Sequence, residues 1–188
     1  MKPLSRQERQ AYGLNIRGPA DWLAVVIATG LGVGFAPFAP GTFGSLLGVA
    51  IFYGLMAAFR TNPHLLQNSL LTLGAILTAL GIWAASRVEK ILDKKDAGQI
   101  VIDEVCGQLV SFAFVAVYLT NTDAHPLWML ATGFVLFRLF DIFKPYPIRR
   151  LEALGSGLGV MADDMLAGIY AAIVLSLLIL FFFPLYIA

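Results

Sequence analysis

Asp103-Glu104, Asp141 and Asp163-Asp164 border or enter apolar segments of a 188-residue chain that is 59% hydrophobic and only 13% charged. Five of the twelve acidic side chains thus stand beside apolar stretches. Ionisable groups at membrane depth are costly and mark function by default. Carboxylates drawn together cannot all stay ionised unaided, so a convergent set holds a proton or a cation. Cations stand close by in the sequence. Arg138, Asp141 and Lys144 recur every third residue along one helix edge, before Pro145 and Pro147 break the chain, and Arg149 and Arg150 follow. A site with both signs fits a metal-bound phosphate. Mg²⁺ is usually held by one or two carboxylates plus substrate phosphate, and the planar arginine fork matches phosphate oxygens.

Helical spacing separates the members of each acidic pair. One and two turns on from Glu104 lie Gly107, Gln108 and Ser111, a small and polar stripe suited to a bundle interior. From Asp164 the same face runs through Ala167, Gly168, Ala171 and Ala172, and small residues let helices approach closely. Glu104, Asp141 and Asp164 are therefore the expected metal ligands, with Asp103 and Asp163 behind them as caps or supporting acids. The structural alternative is that the paired acids only cap helix N-termini, where the dipole favours negative charge. That accounts for one pair more readily than for both pairs plus Asp141. Arg138, Lys144 and Arg149 are the expected phosphate ligands. The run Pro40-Gly41-Thr42-Phe43-Gly44-Ser45 is read as a loop into a helix, where Gly41 and Thr42 offer backbone donors to an anion and Thr42 or Ser45 caps the helix. By itself this loop says no more than a plain cap.

Other chemistries fit less well. His64 and His125, the two histidines, fall in loops expected at the opposite membrane end from the acids. Cys106 has Phe112 where a cysteine phosphatase needs arginine, and reads as a packed thiol. Metal-activated water or attack by a carboxylate remain.

The elements that position these residues are helices in a membrane. Mean hydropathy is +0.78, and no Asp, Glu, Lys or Arg occurs from Thr61 to Ser86 or from Met165 to Ala188. The fold expected is all-α: a polytopic transmembrane bundle of about five spans, near 44–59, 69–87, 105–120, 127–143 and 165–183. Period-two alternation is lacking, which argues against a β-barrel. Residues 1–21 form a polar, basic arm, and 22–188 a single membrane-embedded domain. Nothing resembles a nucleic-acid module, a single cysteine excludes an internal disulfide, and a cleaved leader is not expected. With these spans, one face collects Arg87, Lys90, Lys94, Lys95, Lys144, Arg149 and Arg150, and the other only Arg60. Positive residues stay cytoplasmic, so the acids face the cytoplasm. A crossing at Trp22–Phe35 would put the basic arm outside, so that segment is read as re-entrant or interfacial.

Pro40-Gly41-Thr42-Phe43-Gly44-Ser45, Ile102-Asp103-Glu104, the block from Phe137-Arg138 through Asp141 and Lys144-Pro145 to Pro147-Ile148-Arg149, and Gly159 followed by Asp163-Asp164 and Ala167-Gly168 resemble, in order, the motifs of bacterial phosphatidylglycerophosphatase A. The resemblance runs from about Trp22 to the C-terminus. It implies an Mg²⁺-dependent enzyme of the inner membrane that hydrolyses phosphatidylglycerophosphate to phosphatidylglycerol and phosphate. A small cation transporter is the competing class, since buried acids and glycine-broken helices also serve transport. Acids at one membrane end rather than at midplane, beside arginines and a lysine that repel a permeating cation, weigh against it.

Overall fold

A computed structural model describes residues 15–116 and 127–182, and all their regular structure is helical. The order is α1 (Pro19–Ala28), a 3₁₀ turn (Val33–Phe35), α2 (Pro40–Ala58), α3 (Pro63–Leu92), α4 (Ile102–Ala113), α5 (Leu127–Phe143), the short α6 (Ile148–Leu151) and α7 (Ser156–Phe182). Proline opens α1, α2 and α3, where its missing N–H breaks no helical bond. Asn62 caps α3, its side chain accepting from the Leu65 N–H at 3.0 Å.

Among the described residues, three helices are long and apolar enough to cross a membrane: Pro40–Ala58, Pro63–Leu92 and Ser156–Phe181. At 1.5 Å per residue, the 30 residues of α3 extend about 45 Å, against a hydrocarbon core of about 30 Å. Its C-terminal turns, with Arg87 and Lys90, therefore reach past the apolar layer. The 12 residues of α4 and 17 of α5 are shorter than a full span. The expected span at 105–120 runs into residues outside the described ones, as do His125 and most of the N-terminal arm.

Several segment boundaries differ from expectation. The Pro-Gly run is not a loop: α2 already begins at Pro40, with Ala39 at its N-cap and no side-chain cap. Neither Thr42 nor Ser45 caps it; the Ser45 hydroxyl donates to the Gly41 carbonyl at 3.0 Å instead. The glycine-rich stretch before Asp163 is helical from Ser156. His64, expected in a loop, lies in the first turn of α3.

Short α4 is the hub. Ten of its twelve residues, from Ile102 and Asp103 to Ala113, are buried. Two of its neighbours, α7 and α2, approach through glycine. A Cβ on Gly168 of α7 would collide with the Gly107 carbonyl of α4, and one on Gly107 would meet the Asp164 carbonyl at 2.6 Å. On the other side, a Cβ on Gly48 of α2 would lie 2.8 Å from the Gln108 Cβ. Lipid supplies no hydrophobic drive between helices, so such close backbone packing holds the bundle. Phe52 of α2 stacks on Phe112 of α4 at 4.6 Å. Outward positions such as Leu71, Ile76, Val135 and Ile173 are apolar and exposed, as acyl chains require.

Candidate phosphate and cation site

One end of the bundle holds a cavity of about 750 Å³, bounded by the starts of α2, α4 and α7 and the end of α5. Asp103 and Glu104 enter in the first turn of α4, and Asp163 and Asp164 lie two turns inside α7. These positions bear on the capping alternative. Val101, not an acid, is the N-cap of α4, and acids so far into α7 cannot cap it. Asp103, Asp163 and Asp164 are buried.

The acids that converge most tightly are Asp103, Glu104 and Asp164: one carboxylate oxygen from each lies within 4.8 Å of the others. Asp103 Oδ1, Glu104 Oε2 and Asp164 Oδ2 are buried with no hydrogen-bond partner among the described residues. Buried polar atoms left unpaired are expensive. Three carboxylates this close, each with an unpaired buried oxygen, form the donor set a hard divalent cation takes, so these residues fit such an ion. Asp141 borders the same cavity, but its carboxylate pairs with Arg138 Nη1 at 2.7 Å.

The cations are held by this acidic wall. Arg138 Nη1 also lies 3.8 Å from Glu104 Oε1 and donates to Ser45 Oγ at 3.3 Å, while its buried Nε has no partner. After α5 the chain turns at Lys144, whose φ is 43°. This turn swings the ammonium onto Asp163 Oδ2 at 2.6 Å and Glu152 Oε1 at 3.0 Å. Burial disfavours the Lys144 charge, but Asp163 and Glu152 outweigh it and hold the pKa above the usual lysine range. An ammonium has three donors, so one remains for an anion. Arg149, in α6, lines the cavity and is exposed.

Gly41 lines the cavity, whereas Thr42 does not, and the Thr42 N–H is taken by the Ala39 carbonyl at 2.9 Å. The contribution of Gly41 is space, because a Cβ there would collide with Glu104 Oε1. Gly41→Ala should therefore displace the Glu104 carboxylate, lowering activity and divalent-cation affinity while helix content stays intact. Circular dichroism and cation titration check this. Sequence reasoning missed Lys95, Asp96 and Glu152, which also line the cavity. The only signal for Glu152 was its place in the charged stretch after Pro147.

The sequence model of the family described as Phosphatidylglycerophosphatase A matches residues 26–179. A putative phosphatidylinositol-3-phosphatase of Bacteroides thetaiotaomicron is 36% identical over 156 residues, covering 83% of this chain and 93% of that protein. Phosphatidylglycerophosphatase A of Haemophilus influenzae is 37% identical over 79% of this chain and 84% of its own length. The Escherichia coli protein of the same name is 34% identical over 78% of each. No solved structure matches. The matched region contains Asp103, Glu104, Asp141, Asp163 and Asp164 and the cations Arg138, Lys144 and Arg149, and the chain belongs to the phosphatidylglycerophosphatase A family.

Proposed function

We propose that the protein is an Mg²⁺-dependent phosphatase that converts phosphatidylglycerophosphate to phosphatidylglycerol and phosphate. The observation that carries this reading is the set of unpaired buried oxygens on Asp103, Glu104 and Asp164 beside Arg138 and Lys144. Asp103, Glu104 and Asp164 would hold the ion, with Asp141 completing the acidic wall. A bound Mg²⁺ supplies Lewis-acid charge next to the phosphorus. The chain's own groups do the rest. Lys144 and Arg138 bind phosphate oxygens, and Arg149 binds from the rim. Asp163 and Asp141 aim Lys144 and Arg138, and Ser45 steadies the Arg138 fork. The oxygen of a water ends bonded to phosphorus, directly or after a carboxylate has attacked first, while the bond to the glycerol oxygen breaks and that oxygen takes up a proton supplied by the water and leaves as a hydroxyl. Fixed cations stabilise the charge that builds up on the phosphoryl oxygens, where preorganised donors are worth most.

The site would lie on the cytoplasmic face of a bacterial inner membrane; the excess of Lys and Arg at the end that carries the acids supports this reading. Residues 22–188 form one phosphatase domain with five crossings, the N-terminus inside and the C-terminus outside, and α1 lies re-entrant or interfacial. Reporter fusions should read residues 60–67 as external and residues 144–156 as cytoplasmic; the reverse pattern overturns the topology. Side-by-side assays of phosphatidylglycerophosphate and phosphatidylinositol 3-phosphate test the substrate. Preference for the first supports the proposal, and preference for the second would transfer this chain to the activity in the Bacteroides relative's name.

A further inference from the structure

We propose that a second groove, between the start of α1 and the last turns of α3, binds the headgroup phosphate of an anionic phospholipid that is not being hydrolysed. The groove encloses about 870 Å³ and shares no lining residue with the acidic cavity. Along α3, Ala79, Ile82, Trp83, Ser86 and Lys90 recur at helical spacing on the face that lines it. The order is apolar, then aromatic, then hydroxyl, then cationic. The sequence has no charge from Thr61 to Ser86, and Arg87 is the first. The boundary between acyl chains and water therefore falls near Trp83 and Arg87, and tryptophan favours that depth. A phospholipid runs through the same order, from chain to ester to phosphate.

The charge balance selects the sign of the occupant. Arg17, Arg87 and Lys90 face the groove with one carboxylate, Asp21. Asp21 is already committed: Oδ1 accepts from Arg87 Nε at 2.6 Å and Oδ2 from the Arg17 backbone N–H at 2.8 Å. The Arg17 side chain and Lys90 form no ion pair among the described residues. The chain's own N-terminal arm is a poor occupant, because Lys2, Arg6 and Arg9 outnumber Glu8 and repel these cations. The groove also touches the helix that carries the acids, since Ser86 Oγ accepts from the Gly157 N–H at 3.0 Å in the first turn of α7.

Quenching of Trp83 by brominated lipid reads this groove locally. The full chain in detergent micelles, with Trp22→Phe and Trp128→Phe leaving Trp83 as the one indole, is titrated with brominated phosphatidylglycerol or brominated phosphatidylcholine. If that background does not fold, the same comparison uses the wild-type chain, reading the quenching lost on Trp83→Phe. Phosphatidylglycerol should quench at a mole fraction at least roughly tenfold lower, because the Arg17 and Lys90 cations favour an anionic headgroup. Arg17→Gln/Lys90→Gln keeps the Asp21–Arg87 bridge and should erase that preference. Excess inorganic phosphate should not displace the lipid. Equal quenching by the two lipids, or a preference that survives in the double variant, overturns the proposal. Displacement by inorganic phosphate also overturns it, by showing a soluble-anion site. None of these readouts requires turnover, so they stand apart from the phosphatase assignment.

Discussion

Asp164→Asn is expected to lower phosphate release at least roughly 10²-fold, the scale on which removal of one preorganised group acts in an active site. It should also abolish the rise in melting temperature that Mg²⁺ gives the wild-type protein, because a ligand that binds only the folded state stabilises it. The reason lies in the geometry. Asp164 is buried, one of its oxygens is unpaired, and it sits with Asp103 and Glu104 in a cluster 4.8 Å across. Glu104→Gln should behave alike. In chelator, either variant should melt no lower than wild type, since removing one of several crowded carboxylates relieves repulsion and active sites trade stability for function. A variant that keeps the full Mg²⁺-dependent shift would place the ion elsewhere.

Lys144→Met should lower kcat and kcat/KM together, on the order of 10²-fold, because a cation acting mainly in the transition state contributes little to ground-state binding. Methionine keeps much of the stem length and removes the charge. It also leaves Asp163 Oδ2 without its 2.6 Å partner, so the change must be judged against Lys144→Arg, which restores a cation near Asp163. Partial recovery in the arginine variant ties the loss to charge. An unchanged kcat at saturating Mg²⁺ and lipid makes Lys144 a surface anchor and sinks its assignment to phosphate. The closed pair with Asp163 and Glu152 keeps the ammonium charged well above neutral pH, so titration of Lys144 should leave no step in the pH–rate profile between about pH 5 and 8, the range in which histidine titrates.

The helical class and the gathering of charge at one end were legible in the sequence, because uncharged apolar runs and clustered acids are composition-level signals. The helix starts at Pro40 and Ser156 were not. Proline and glycine read as breakers, yet Pro40 occupies the one turn that tolerates it, and Gly41, Gly157 and Gly159 are positions where an added Cβ would collide with neighbouring atoms. Glu104 and Asp164 line the cavity, on the helix faces that carry their small-residue stripes. Spacing put Asp103 behind them because it shows one face of a helix. In fact α4 is surrounded, so consecutive residues of its first turn both point into protein. Asp141 lines the same cavity, and its ion pair with Arg138 follows from their spacing of three residues on one helix. Glu152 could not be found by periodicity, since it reaches Lys144 only through the turn that follows α5.

Phosphate release from phosphatidylglycerophosphate in mixed micelles, followed with added Mg²⁺, with chelator, and with Mg²⁺ restored, tests the central claim most directly. The account predicts phosphatidylglycerol and phosphate in equal amounts, loss of release in chelator, and recovery when Mg²⁺ returns. No release with Mg²⁺ present, or an undiminished rate in chelator, would contradict it.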